Sequence, residues 1–259
     1  LQKYAERLIV RKQYERAIDY LERALAAAQR AASHAERHLN LKWTSKHKTQ
    51  LAIMLRLATL NAMAEQFDGA EQLMQESIVF AVGHNRAEPL AAYAVLMERL
   101  RQFDKAEEAY LRALALDAEC TAALLGYANL LVDIHADHTS AEKYYERALR
   151  SARLDVHDKD VPLVVAKRCV TEAYLNYAVF LSTLRGDHVK ALELLEKASK
   201  VQPEKNAPIL VELGRIHAAA GDMITEHIVE HYEAALRIEP DYPDAMLELA
   251  MILSSRSKD

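Results

Sequence analysis

The sequence predicts an all-α protein assembled from stacked helical pairs, and three observations lead there. Alanine, leucine, glutamate, lysine and arginine dominate, while glycine and proline number six each, with the first glycine at Gly69 and the first proline at Pro89; strong helix formers with few breakers favour helix. Seven segments align on a small residue: Ala5, Ala58, Ala94, Ala128, Ala178, Gly214 and Ala250. Six further segments, one after each of the first six, align on Ala17, Ala70, Ala106, Ala141, Ala191 and Ile228. Self-similarity of this kind marks a repeat architecture.

Each first segment carries a large apolar residue just before the small one: Tyr4, Leu57, Tyr93, Tyr127, Tyr177, Leu213 and Leu249. Three positions further back stand Leu1, Met54, Leu90, Leu124, Tyr174, Leu210 and Met246. Steps of three and four put these residues on one helical face. Each second segment continues from its aligned residue, small in all but the last, to Leu21, Met74, Tyr110, Tyr145, Leu195 and Tyr232, and then to Ala24, Ser77, Ala113, Ala148, Ala198 and Ala235. Small residues let helices cross closely, and large ones fill the space beside the crossing. The tyrosines are therefore expected in the core. Pro203 and Pro240 end two of the second helices, since proline cannot continue a helix.

The small column recurs after 53, 36, 34, 50, 36 and 36 residues. With "LGYANLL…AEKYYERAL" and "LNYAVFL…ALELLEKASKVQP", the pattern resembles the tetratricopeptide repeat family, whose period is about 34 residues. The resemblance covers nearly the whole chain and implies a right-handed α-α superhelix with no chemistry of its own. Repeats are expected near 1–30, 48–82, 87–120, 121–153, 168–203 and 206–240, with a lone final helix at 243–256, all in one solenoid. The two long spacings point to insertions. Residues 25–47 hold no breaker and predict an elongated second helix with Trp43 near the next turn. Residues 151–168 contain the polar "DVHDKDVP", which predicts a loop and then an early start of the next helix.

In this family the first helices line a concave groove that takes an extended peptide or a helix of a partner protein. Transferred to this chain, the resemblance places Asn129 and Asn176 in that groove from adjacent repeats, with Leu125, Leu175 and Val179 as apolar lining and Glu212 and Arg215 in a more acidic third. An amide can donate and accept at once, so it reads a peptide backbone regardless of side chains. It can equally tie down a neighbouring helix. Family members that clamp a terminal carboxylate set three basic residues around such asparagines. Here Leu125, Pro208 and Glu212 take those places, and Glu212 would repel the carboxylate.

Other classes find little support. The net charge of −5 with a single Trp gives no reason to expect nucleic-acid binding, which needs clustered cations, and argues against the half-repeat relatives of RNA processing. No run approaches the ~18 apolar residues of a membrane span. Cys120 and Cys169 stand in no metal or redox spacing, so a reducing, cytoplasmic setting is the expectation, with Cys169 read as a small buried hydrophobe. The segment "HIVEH", residues 227–231, matches an inverted zinc-peptidase motif, but it falls on the outer helix of a repeat and is expected to be solvated surface. No metal, cofactor or catalytic residue is expected. The chain opens at Leu1 without methionine, and a fragment of something longer is the expectation. Residues Met246, Leu249, Ala250 and Leu253 of the last helix would want cover, which favours membership of a larger complex as the main alternative to groove binding.

Overall fold

The structure, a computed structural model, describes residues 14–36, 45–82, 86–156, 163–202, 207–221 and 225–256. They form twelve α-helices: α1 (Tyr14–Glu36), α2 (Ser45–Met63), α3 (Phe67–Val82), α4 (Glu88–Arg99), α5 (Phe103–Leu116), α6 (Thr121–Asp133), α7 (His138–Asp155), α8 (Leu163–Phe180), α9 (His188–Val201), α10 (Ala207–Ala219), α11 (Thr225–Ile238) and α12 (Pro243–Arg256). No strand occurs among the described residues. The expected first helix of the first repeat, with Ala5, lies outside them, as do Trp43, Pro162 and Pro203.

The chain divides into two compact units, residues 1–130 and 131–259. Within the first, α1 packs on α2, α2 on α3, α3 on α4 and α4 on α5. Within the second, α7 packs on α8, and the same neighbour-to-neighbour order continues through α12. Within each unit these helices thus pack against their sequence neighbours, as repeat architectures do.

The aligned columns are the core. Ala17, Ala70, Ala106, Ala141 and Ala191 are fully buried, and so are Ala58, Ala94, Ala128 and Ala178. Tyr110, Tyr145 and Tyr232 are at most 3% exposed, and Leu21 and Leu195 are fully buried. The two insertions behave as their composition suggests where they are described. Helix α1 runs on for 23 residues to Glu36, and α8 begins early, at Leu163.

The hairpin turns share one device. A residue just past the helix end takes a left-handed backbone: Glu65 (φ 62°), Arg101 (φ 58°), Ala136 (φ 52°), Gly186 (φ 67°) and Gly221 (φ 80°). After α2 the amide of Gln66 donates to the Asn61 carbonyl and that of Glu65 to the Ala62 carbonyl; after α4, Gln102 and Arg101 repeat the pattern on Met97 and Glu98. These are the paired bonds of a Schellman ending. Glycine adopts this backbone freely, whereas other residues meet a steric cost of about 1–2 kcal/mol, so Glu65, Arg101 and Ala136 are strained turns held by their helices. Helix α8 ends differently, in a π-helical turn at Leu181–Arg185. The next helices start on aspartates: Asp137 Oδ1 accepts the Ser140 amide and Asp187 Oδ1 the Lys190 amide, each at 3.0 Å. Both cap donors that the first helical turn leaves unpaired.

Candidate functional site

The candidate residues sit where first helices keep a polar or half-buried face clear of the core column. In the first unit, Asn129 on α6 is half-buried, one step past the fully buried Ala128. Leu125 departs from the expected groove lining: it is 6% exposed, so its side chain is spent on packing. Val95, which follows Ala94 on α4 as Asn129 follows Ala128, is 46% exposed and does offer apolar surface. In the second unit, Leu175, Asn176 and Val179 are all half-buried on α8, while Tyr174, Tyr177 and Ala178 between them are buried. Asn176 therefore does not fill the core of α8. It stands on the flank next to Leu175, off the packing face.

Arg215 is the electrostatic centre of the second unit. From α10 its guanidinium meets Glu212 on the same helix, and it reaches Glu248 on α12 at 2.7 Å and Asp244 at 3.9 Å. Burial works against its charge, but the hydrogen bonds to Glu248 and Glu212 outweigh this and raise its pKa further. The acidic third expected here is thus organised around Arg215, with Glu212 and Glu248 already bonded. Forked contacts of this kind fix geometry better than a point charge would.

Several interactions escaped the sequence reading. Tyrosines of the first helices, buried at Tyr127 and Tyr177 but only half-buried at Tyr93, donate to carboxylates of the preceding second helices: Tyr93 to Glu71, Tyr127 to Glu107 and Tyr177 to Glu146, each at 3.2 Å. Lys190 also donates to the Tyr177 hydroxyl at 3.0 Å. Arg185, in the π-turn, reaches back to Glu142 on α7 at 2.7 Å and lies 5.7 Å from the centre of the Phe180 ring. Cys120 is buried, and burial pushes its thiol up to about 12. Cys169, on the second turn of α8, is only partly buried, not the buried hydrophobe expected.

In the "HIVEH" stretch His227 and Glu230 are solvated as expected, whereas His231 is half-buried. His227 and His231 on α11 have ring centres 5.1 Å apart, and His217 from α10 approaches His231 to 5.5 Å with nearly parallel rings. His231 is half-buried and its Nε2 is enclosed without a hydrogen-bond partner. Among the described residues, no three His, Cys, Asp or Glu side chains are arranged to hold a metal. Burial, then the neighbouring His217 and His227, pull the His231 pKa below its ordinary 6.5. The unfolded chain therefore takes up the proton first, and the fold loses stability as pH falls through and below 6.5. Thermal unfolding followed from pH 7.5 to 5 should show a falling midpoint, and His231→Gln should flatten the slope.

Comparison with known proteins follows from this geometry. The tetratricopeptide repeat model matches residues 86–156, the stretch running from α4 through α7. Over that stretch the chain is similar to tetratricopeptide repeats. Solved structures agree at the level of fold. BtubC (BKLC) from P. vanneervenii is 23% identical with a TM-score of 0.62, over 88% of this chain and 91% of that one. A thermophilic tetratricopeptide repeat protein of Thermus thermophilus is 18% identical, with a TM-score of 0.57 over 78% and 98% of the two chains. Yeast Tom70 is 16% identical with a TM-score of 0.62; 94% of this chain aligns to 49% of Tom70. No curated protein matches the sequence. The fold class is that of the α-α superhelix.

Proposed function

We propose that the chain is a non-catalytic scaffold that holds an extended peptide or an amphipathic helix of a partner protein along the faces of its first helices. The contact residues are Asn129 in the first unit and, in the second, Asn176 with Leu175 and Val179 as apolar neighbours, together with Glu212 and Arg215. The observation that carries this reading is the placement of Asn176: it is half-buried, as are its apolar neighbours Leu175 and Val179, while Tyr174, Tyr177 and Ala178 on the core face are buried. An apolar surface punctuated by a few polar groups suits a helix or strand partner. Repeats of this family are in general scaffolds without chemistry, which agrees with a non-enzymatic role. A reducing, cytoplasmic compartment belongs to the same proposal.

The architectural alternative draws on a different surface. On α12, Met246, Leu247, Met251 and Leu253 are each more than half exposed, whereas Leu249 packs inward on the α10–α11 core. Partners bound there would ignore the asparagines. Affinity measured against the partner that the full-length protein retains should fall at least about tenfold in Asn129→Ala plus Asn176→Ala, the cost of about 1.4 kcal/mol for lost backbone hydrogen bonds. Unchanged affinity would refute the groove reading.

A further inference from the structure

Three histidine rings meet where α10 packs on α11. His217 stands in the last turn of α10, and His227 and His231 on the first two turns of α11. The ring centres lie 5.1, 5.5 and 5.9 Å apart; His217 is nearly parallel to His231, and His227 is set edge-on to both. As neutral rings they pack as aromatics do. As cations they repel, because charges this close in a partly buried setting are poorly screened.

The packing also has no place for the added proton. An imidazolium donates from both nitrogens, and Nε2 of His231 is enclosed without a hydrogen-bond partner; a donor left unpaired there is costly. Glu230 favours the charged ring, but burial, His217 and His227 oppose it more strongly. Other charges of the packed helices are turned elsewhere or exposed. On α12, Asp244 and Glu248 face Arg215. On α9, Lys190 is held to Tyr177, Lys197 to Glu193 and His188 to Ser182, with Glu196 and Lys200 exposed. On α11 itself, Glu226 and Glu233 are exposed.

Helix α11 is also what joins α10 to α12. Its Ile228, Tyr232 and Ala235 share one buried cluster with Ala207 and Val211 of α10 and Ala245 of α12. Tyr232 lies hard against Gly214, the residue before Arg215, and Arg215 reaches across to Glu248 and Asp244 of α12. We infer that the histidine cluster is an acid-sensitive switch: its protonation parts α10 from α11 and dismantles the ion cluster around Arg215. Clustered histidines serve as such switches because their charge changes in mild acid. Where Glu212 and Arg215 contact a partner, as proposed above, mild acid releases that contact. The switch itself needs no partner, so it and the binding proposal fail separately.

The test is hydrogen exchange of the whole chain at pH 7.5 and 5.5, corrected for the slower intrinsic exchange in acid. Amides of α10, α11 and α12 should lose protection at least about tenfold at pH 5.5, while those of α7, α8 and α9 change less than about twofold. The Arg215 Nε–H group, bonded to Glu248, should follow α10. In His217→Gln plus His227→Gln, which leaves the buried residues of α11 in place, the acid response should shrink at least about threefold. In the unaltered chain, NMR of the imidazole carbons should show His231 titrating below the ordinary 6.5. Equal loss of protection across the second unit, no loss in α10–α12, an unchanged response in the double variant, or titration of His231 at or above 6.5 would overturn the switch.

Discussion

Tyr145→Ala is expected to cost about 3–5 kcal/mol, the range for emptying a fully buried aromatic site. Tyr145 is 3% exposed, its ring stacks on Tyr177 with centres 5.9 Å apart and it meets Phe180 at 5.1 Å. It joins α7 to α8, which supplies Tyr177 and Phe180, and Lys190 of α9 sits 5.1 Å from the centre of the same Tyr177 ring. Stability in stacked repeats is close to a sum of local terms. The damage should therefore be read locally: amide hydrogen exchange should speed up in α7, α8 and α9, while α2 to α5 keep most of their protection. Equal loss of protection throughout would show that this core does not govern α7–α9 in particular.

Gly126→Ala is expected to lower stability by about 2 kcal/mol, although alanine is the better helix former by about 1 kcal/mol. Gly126 lies on α6 against the fully buried Tyr110 of α5, and an added methyl group would overlap the Tyr110 ring and hydroxyl. The ring cannot step aside cheaply inside a packed core, so overpacking outweighs propensity. Tyr110→Leu in the same chain should recover much of the loss, because the overlapping atoms are gone; chemical denaturation of both single variants and the double variant reads this coupling. Gly214→Ala tests the same logic in the second unit, where a methyl group would come within 2.7 Å of Tyr232.

These two results separate what was legible in the sequence from what was not. The alanine columns and the large residues four positions on could be aligned by eye because a helix crossing demands short side chains at fixed places, and the aligned alanines of α2–α9 are buried as a set. Ala250 broke the pattern: it is exposed, because α12 packs on α11 through Ala245 and Leu249 instead. Gly186 and Gly221 announced left-handed turns, but Glu65, Arg101 and Ala136 gave no such signal, since their own propensities disfavour that backbone. Interactions between distant positions were beyond reach as well. Arg185 and Glu142 stand 43 residues apart, and nothing in either local stretch names the other. The His217–His231 contact was missed for the same reason, while the neighbouring pair at 227 and 231 was visible from spacing alone. Among the candidate residues, the polar flank of α8 at Asn176 was readable from helical periodicity. The burial of Leu125 was not, because a leucine two steps from Tyr127 fits either face of α6 until its neighbours are placed.

The most direct test of the proposed function asks which helical face touches the partner. A photo-reactive amino acid is placed singly at Val95 and Val179 on first helices, and at Val79 and Val189 on second helices, where exposure is high at 77% and 73%. After irradiation with the partner bound, adducts should form at Val95 and Val179 and be absent at Val79 and Val189. Adducts confined to Val79 and Val189 would contradict the account and assign binding to the second helices.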